Sequence, residues 1–273
     1  MLNERTNFKL YKGEIRSMYV DLHMHSTYSD GTDDIVELYE KAKSLKLEKM
    51  ALTDHNVIEG SVKLHKLDPD FCVKGVEIDC YYNEHNLHIL VYDYDETNIE
   101  FLELVKKTNY ELLHHDDMII YELVKENFFE LSEYEKFNKN VKLGGWKSLQ
   151  FLIHKGIVND INEFFVLQNK YLSENNKPKY YSLETVIDIA HKANGKVVFA
   201  HPFKSVKTNQ YKTIEEIVKM NIDGIEVYYP SHSKEDTFYL ENLALKHKLF
   251  KTCGCDYHGP FQSTSIGQLK VNI

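Results

Sequence analysis

Two histidines separated by one residue form the first pattern in the chain that could do chemistry. His23 and His25 end an apolar run that begins at Met18. Side chains two positions apart on a β-strand lie on the same face, so one strand can direct both imidazoles at a single cation. Zinc, manganese and iron all accept imidazole ligands. The pattern therefore predicts a metal site.

Further histidines and carboxylates occur in the same context, at the ends of predicted strands or in the adjacent loops. They are Asp30, His55, Glu77, His88, His201, Asp256 and His258. With His23 and His25 they make six histidines and three carboxylates, which is more than one four-coordinate ion can use. We therefore predict a cluster of two or three divalent metal ions, manganese, zinc or iron, joined by a bridging carboxylate.

The elements that must position these residues alternate short apolar runs with helical patterns. Strands are predicted at 19–22 and 49–53, with a helix capped by Thr32 between them, and this alternation is typical of β-α-β units. His201, Glu226 and Asp256 fall at or just past the carboxyl ends of later strands, where α/β barrels place their active sites. An α/β barrel is therefore the predicted fold, and Asp54 and Glu226 are candidates to orient ligands.

The pattern changes between residues 101 and 172, where helices rich in Glu, Lys, Asn and aromatic residues are predicted. We interpret 101–172 as a helical insertion, and 1–100 with 173–273 as the barrel. The insertion contains no arginine, so Lys147 is the candidate cation for substrate binding. Trp146 either stacks on a base or anchors the core of the insertion, and core packing is the favoured interpretation.

Length and composition indicate an ordinary globular protein. The chain has 273 residues, of which 42% are hydrophobic and 27% charged, and no apolar run approaches the length of about 18 residues that a membrane span needs. Residues 1–17 contain no apolar segment of a secretory signal, so we expect a cytoplasmic location without membrane contact. A net charge of −9 argues against a surface that coats long nucleic acid, but not against a small anionic substrate.

The ordered set of motifs resembles the PHP family, named for polymerase and histidinol phosphatase. The resemblance rests on His23-Met24-His25, Ser29-Asp30-Gly31, Thr53-Asp54-His55-Asn56, Gly75-Val76-Glu77, His88-Ile89-Leu90, Ala200-His201-Pro202 and Cys255-Asp256-Tyr257-His258-Gly259, in the family's order. Each motif alone is weak, but the ordered set is specific. The resemblance implies a distorted (β/α)7 barrel with a helical insertion, and a metal-dependent phosphoesterase, which is a hydrolase.

The resemblance also implies how the ligands divide among the metal ions. A first ion would take His23, His25, Glu77 and Asp256, a second would share Glu77 with His88 and His201, and a third would take Asp30, His55 and His258. Asp30 stands where some relatives have histidine. His232 resembles a family position near the substrate, where it would contact phosphate or donate a proton, and a solvent-exposed loop histidine is the equal alternative.

The expected reaction is hydrolysis of a small phosphomonoester, such as a nucleotide, a sugar phosphate or histidinol phosphate. The attacking group would be a metal-bridging hydroxide, with Glu77, Asp256 and His232 as catalytic residues. Alternatives are a 5′-3′ exonuclease on short oligonucleotides, a metal-binding module without turnover, and an amidohydrolase-like reaction at carbon. No obligate protein partner is evident from the sequence.

Overall fold

The structure of the protein is a computed structural model, which describes residues 18–173, 176–271 and 273. The segment 1–17, on which the expectation about a secretory signal rests, lies outside the described residues. Seven strands form one sheet: β1 Val20–Asp21, β2 Lys49–Leu52, β3 Cys72–Tyr82, β4 His85–Tyr92, β5 Lys196–Phe199, β6 Gly224–Tyr228 and β7 Phe250–Cys253.

Helices connect most of these strands. They are α1 Ile35–Ser44, α2 Glu59–Leu67, α3 Ile99–Lys125, α4 Leu131–Lys136, α5 Lys147–His154, α6 Ile161–Tyr171, α7 Leu183–Lys192, α8 Pro202–Ser205, α9 Gln210–Ile217 and α10 Lys234–His247. Asp34, rather than the predicted Thr32, caps α1, because its carboxylate accepts the backbone N–H groups of Val36 and Glu37. None of the described helices combines the length and apolarity that a bilayer span requires.

The strands follow one another in chain order around a nearly closed barrel. β1 to β3 are parallel, β5 to β7 are parallel, and β4 runs antiparallel to both β3 and β5. The first and last strands are joined where the Leu22 N–H donates to the Cys253 carbonyl at 2.9 Å and the Asp256 N–H donates to the His23 carbonyl at 2.8 Å. The predicted α/β class, a distorted seven-stranded barrel, is confirmed.

The distortion comes from the β3–β4 hairpin. Only Asn83 and Glu84 separate these strands, and Asn83 adopts a φ of +51°, as a tight hairpin turn requires. Because no crossover helix fits in two residues, β4 must run antiparallel. The prediction that every ligand lies at a strand end is therefore wrong for Glu77 and His88, which lie inside these two long strands.

Apolar side chains of different sizes fill the inside of the barrel, and helices cover its outside. The interior cluster consists of Met18, Val20, Leu22, Ala51, Leu90, Tyr92, Val198, Ala200 and Cys253. Tyr92 is fully buried there and donates its hydroxyl to the Leu22 carbonyl at 2.7 Å. This packed interior leaves the polar ligands at one end of the barrel, so the rim is the place for a site.

The segment predicted as an insertion is helical and has its own apolar cluster. Ile119, Leu123, Phe151 and Phe164 form part of that cluster, whereas Phe101, in the first turn of α3, packs in the barrel core. Trp146 packs against Phe164, with ring centroids 5.3 Å apart. The long α3 thus belongs to both cores, and the proposed division at residue 101 remains an interpretation.

Two glycines join this helical segment to the rim of the barrel. The Gly145 N–H donates to the Asp30 carbonyl at 2.7 Å. Gly144 has a φ of +71°, and a Cβ there would lie 2.7 Å from Phe261 and 3.1 Å from the Asp30 carbonyl. Glycine is therefore required where the helical segment meets the loop that carries Asp30.

Candidate metal centre

The barrel rim brings eight of the nine predicted ligands together in three overlapping groups. The groups that could each hold an ion are His23, His25, Glu77 and Asp256; His55, Glu77 and His88; and His25, Asp30, His55 and His258. Within each group the ligand atoms lie within 4.8 Å of one another. His201 is placed against the second group, because its Nε2 lies 3.0 Å from Glu77 Oε1.

The first group surrounds one oxygen of Glu77. Glu77 Oε2 lies 3.2 Å from His23 Nε2 and 3.2 Å from His25 Nε2. Asp256 Oδ1 lies 3.1 Å from His25 Nε2 and 3.5 Å from His23 Nε2. All four side chains are buried. This set is the one that the family resemblance implied for a first ion.

In the second group, His88 contacts the other oxygen of Glu77. His88 Nδ1 lies 2.8 Å from Oε1, while His55 Nδ1 approaches Oε2 at 3.2 Å. Asp79, which was not among the predicted residues, holds the far side of the His88 ring with Oδ1 3.3 Å from Nε2. Glu77 therefore lies between the first and second groups, as expected of a bridging carboxylate.

The third group lies under the loop that the helical segment contacts. Asp30 Oδ2 is 3.3 Å from His258 Nε2, and Asp30 Oδ1 is 3.8 Å from His25 Nδ1. The His25 and His258 rings stack with centroids 4.0 Å apart. His25 and His55 thus each stand in two groups, a sharing that the sequence did not predict.

Buried polar atoms without hydrogen bonds indicate that these groups fit metal ions. They are His23 Nε2, His25 Nδ1 and Nε2, His55 Nδ1 and Glu77 Oε2, within the described part of the chain. Orphaned buried polar atoms are rare in proteins and costly. Cations held by the ligand groups would give these atoms a partner, except for the second ring nitrogen of His25, which cannot face the same ion as the first. Imidazole and carboxylate donors together suit zinc, manganese or iron.

The charges of the cluster keep its carboxylates ionised. Burial raises the pKa of Glu77, but the surrounding histidines outweigh burial and hold this pKa well below its ordinary value. At Asp256, His23, His258 and Lys204 likewise outweigh burial and hold the pKa well below its ordinary value. Burial lowers the pKa of His25, yet hydrogen bonds to Asp256 and Glu77 raise it to about 9. Burial lowers the pKa of His201 to about 3. Metal ions would therefore compete with protons at His25.

Two buried carboxylates support the ligands: Glu226 contacts two of them directly, and Asp54 holds the loop between His25 and Asp30. Glu226 Oε1 lies 3.1 Å from His23 Nδ1, and Oε2 accepts the His201 backbone N–H at 2.8 Å. Asp54 accepts the backbone N–H of Ser26 at 2.8 Å and the Ser29 hydroxyl at 2.6 Å. Such partners fix the orientation of ligands and their tautomers. Both residues were predicted as candidates for this task.

The two predicted substrate residues do not line the cavity that opens onto the metal centre. Lys147 Nζ approaches the Glu135 carbonyl at 3.4 Å and lies 4.4 Å from the centre of the Tyr134 ring. His232 Nδ1 lies 3.0 Å from the Val227 carbonyl. Lys147 stays outside because α5 begins there and turns it toward the helical core. His232 packs against Tyr229, whose hydroxyl contacts Asp256, and a substrate role for His232 or Lys147 stays a prediction.

One cavity of about 1000 Å³ opens onto the metal centre. Asp30, His55, His88, Asp256 and His258 line one end, and the helical segment lines the other. This volume is at the upper end of the range for small-molecule sites.

The sequence analysis identified none of the three lysines that line this cavity, Lys139, Lys177 and Lys204, and the first and last lie beside the metal centre. Lys204 Nζ donates to Asp256 Oδ2 at 2.7 Å and to the Tyr229 hydroxyl at 2.8 Å. Lys139 donates to the Ser29 carbonyl at 2.7 Å and has no ion-pair partner among the described residues. Lys204 follows the predicted ligand His201 by only three residues, and this short spacing could have indicated a position near the metal centre. No sequence signal pointed to Lys139, because only the packing of the helical segment brings this residue to the rim.

Fold and site together define a PHP domain, and the chain belongs to this family. The PHP domain model matches residues 21–242. The predicted family and the predicted enzyme class, a metal-dependent phosphoesterase, are confirmed.

Curated relatives extend over nearly the whole chain. A phosphoribosyl 1,2-cyclic phosphate 1,2-diphosphodiesterase of Eggerthella lenta is 24% identical and covers 89% of this chain and 95% of its own. The 5′-3′ exoribonuclease Rnm of Escherichia coli is 23% identical over 91% of this chain and 88% of its own. A 3′,5′-nucleoside bisphosphate phosphatase of Chromobacterium violaceum is 26% identical over 88% of this chain and 87% of its own.

Solved structures agree on the fold. A crystal structure described as a metal-dependent phosphoesterase of Bifidobacterium adolescentis has a TM-score of 0.74 at 22% identity, covering 95% of this chain and 94% of its own. A structure from Chromobacterium violaceum, described as an amidohydrolase with bound sulfate, has a TM-score of 0.72 at 25% identity. It covers 89% of this chain and 88% of its own.

Proposed function

We propose that this protein hydrolyses a small phosphomonoester with two or three divalent metal ions held by the nine rim residues. The observation that carries the proposal is Glu77, whose two oxygens face two different groups of ligands. Oε2 lies 3.2 Å from His23 Nε2, and Oε1 lies 2.8 Å from His88 Nδ1. A carboxylate so placed holds two cations a short distance apart, the arrangement used for in-line displacement at phosphorus.

Each residue then has a stated task. Divalent cations at such a site supply an activated water and neutralise phosphate charge. Glu77 and Asp256 provide the negative charge that holds cations together, and Glu226 fixes the ring of His23 through its 3.1 Å contact. Burial excludes bulk water from these side chains, which strengthens every electrostatic interaction among them.

Lys204 and Lys139 are the residues proposed to bind substrate phosphate. Lys204 reaches Asp256 from the cavity side, 2.7 Å from Oδ2. Lys139 reaches the rim from the helical segment, beside the loop that carries Asp30, and burial lowers its pKa. A partly buried lysine without an ion-pair partner among the described residues is well placed to accept an anion. The bound sulfate in the Chromobacterium violaceum structure is likewise a tetrahedral oxyanion.

The proposal is tested by measuring inorganic phosphate release with manganese, zinc or iron present. The panel contains histidinol phosphate, a sugar phosphate, nucleoside monophosphates, a 3′,5′-bisphosphate and an N-acetylated amide substrate. We expect selective release of phosphate, lost together with bound metal in His25→Ala and Asp256→Ala. Retained turnover in both variants would refute the site. Cleavage of the amide alone would favour reaction at carbon instead.

A second candidate function is 5′-3′ exonuclease activity on short oligonucleotides. Three of the curated relatives carry an exoribonuclease name. The cavity is long enough to extend from the metal centre into the helical segment, with Lys139, Lys177 and Lys204 along its wall. Binding of an oligonucleotide would then weaken steeply with salt, because each neutralised phosphate releases counterions. Affinity that is unchanged between 50 and 200 mM salt would remove this candidate.

A further inference from the structure

The end of the cavity away from the metal centre has the character of a second recognition site. Its wall carries Trp146, Phe165, Gln168 and Tyr180 from the helical segment and the chain that follows it. A volume of about 1000 Å³ far exceeds what a phosphate group and its immediate carbon atoms fill. The substrate therefore carries a second group, and the side chains at this end describe its chemistry.

Asp116 is the buried charged group at this distal end. It lies on α3, only 7% exposed, and lines the cavity. His115 Nδ1 lies 3.9 Å from Asp116 Oδ1, which is beyond the distance of a good hydrogen bond. The Gln168 amide is the other polar group beside this carboxylate. A nine-tenths buried carboxylate that faces a cavity with only these two neighbours has capacity to accept hydrogen bonds from a ligand.

The neighbours of Asp116 compensate its buried charge only in part. The Gln168 amide lies close enough to lower the pKa of Asp116, yet Gln168 Nε2 is itself buried without a hydrogen-bond partner. Burial raises the pKa of Asp116 to about 6, because His115 and Gln168 offset only part of the cost of burying the charge. A ligand with N–H donors would offset the remainder.

Aromatic side chains beside Asp116 favour a flat ligand. Phe165 lines the cavity and is 46% exposed, and its ring centroid lies 6.0 Å from that of Trp146. Tyr180 packs against Tyr81 in a tilted arrangement, with ring centroids 5.5 Å apart. Its pKa is raised by burial and then by the charges of Asp79 and Asp116, so it stands between the metal end and the distal end. Exposed aromatic faces of this kind stack on planar rings.

We propose that Asp116 is a specificity-determining residue that recognises an amino-bearing nucleobase at the distal end of the substrate. The inference rests on the proposed phosphoesterase function and names the substrate class. Guanine fits best, because a carboxylate accepts two hydrogen bonds from its adjacent N1–H and N2–H groups. A simple ammonium group would use the carboxylate but leave the aromatic walls without a partner.

The first test compares guanosine and inosine monophosphates, which differ only in the 2-amino group. The wild-type protein should prefer the guanosine compound by about 10-fold in kcat/KM, and Asp116→Asn should bring this ratio close to one. Asp117→Asn is the matched control, because Asp117 is the next residue of α3 and its carboxylate accepts the Tyr134 hydroxyl instead of facing the cavity. This control should keep the wild-type ratio.

The second test measures binding without turnover. Trp146 is the only tryptophan of the chain and lines the same cavity, so its fluorescence reports ligands at the distal end. Titration with guanosine, which lacks phosphate, should change this fluorescence, and Asp116→Asn should weaken binding by about 10-fold. Guanosine binding unchanged by Asp116→Asn would overturn the inference.

The outcomes separate this inference from the proposed function. Phosphate release from any panel compound, combined with equal kcat/KM for guanosine and inosine monophosphates, would overturn the role of Asp116 and leave the phosphoesterase standing. Equal losses on both nucleotides in Asp116→Asn would show a purely structural role and also overturn it. An effect confined to amine-bearing phosphates such as histidinol phosphate would replace the nucleobase with an ammonium group.

Discussion

The Nδ1 atom of His23 lies 3.1 Å from Oε1 of Glu226, a residue 203 positions away in the chain. Both side chains are fully buried, and the contact turns His23 Nε2 toward Glu77 and Asp256. Glu226 also accepts the backbone N–H of His201 at 2.8 Å. One carboxylate on β6 therefore orients two proposed metal ligands.

We predict that Glu226→Gln lowers metal affinity by about 10- to 100-fold, because the amide leaves the His23 tautomer less firmly fixed. Metal content measured after dialysis against a graded chelator checks this prediction. Glu241→Gln is the control, since Glu241 contacts the Tyr228 hydroxyl on the outside of the barrel. Equal metal content in both variants would contradict an orienting role for Glu226.

Glu77→Gln should have a larger effect. The substitution keeps the shape of the side chain and removes the charge that two ligand groups share, so we expect activity to fall by more than about 100-fold, together with loss of at least one bound ion. Elemental analysis and phosphate release measured on the same preparation check it. Full metal content with normal turnover would contradict the bridging role.

Asp30→Asn should affect the third ligand group alone. Asp30 contacts His258 and His25, whereas the first and second groups are built around Glu77. We therefore expect one fewer ion per chain, with ions at the other groups retained. Metal stoichiometry of Asp30→Asn and of the exposed control Asp70→Asn gives the answer. Loss of all ions would show that the groups do not fill independently.

Lys204→Met should weaken substrate binding. The variant removes a cation that faces both Asp256 and the cavity, so we predict a rise of KM of about 10-fold for a phosphomonoester. Lys212→Met on the outer surface of α9 is the control. An unchanged KM, with kcat lowered instead, would indicate that Lys204 acts only by positioning Asp256.

Asp116→Asn should change how stability depends on pH. The folded pKa of Asp116 is raised from its ordinary 3.8 to about 6, so its carboxyl favours the folded state below about pH 4 and loses that contribution as pH rises through 6. The wild-type protein should therefore become less stable than Asp116→Asn between pH 4.5 and 7, by up to about 3 kcal/mol. Urea unfolding of both proteins at several pH values checks this prediction. A parallel pH dependence in the two proteins would contradict it.

The removal of metal should also lower stability. Ions that bind only the folded state stabilise it by mass action, by about 2.7 kcal/mol at a concentration 100 times the dissociation constant. We expect chelation to lower the melting temperature and excess manganese or zinc to restore it. A melting temperature that does not respond to either would show that the rim binds no ion tightly.

Most of the proposed ligands could be identified from residue types and short spacings in the sequence. The separation of His23 from His25 by one residue is a local property of a strand, and the rim groups contain all of the predicted histidines and carboxylates apart from His201, which contacts Glu77. Helix α10 begins after Ser233, whose hydroxyl caps it, and such a cap is a local signal of the sequence.

What the sequence determined by itself is therefore the chemistry: imidazole and carboxylate ligands in a fixed order on an α/β barrel. The tertiary structure decided which oxygen of Glu77 serves which group, that His25 stands in two groups, and that Lys139, Lys204 and Asp116 line the cavity while Lys147 does not. The reason is that ligand chemistry and strand periodicity depend on a few neighbouring residues. The meeting of distant side chains depends on how the helical segment packs against the rim, which no local pattern encodes.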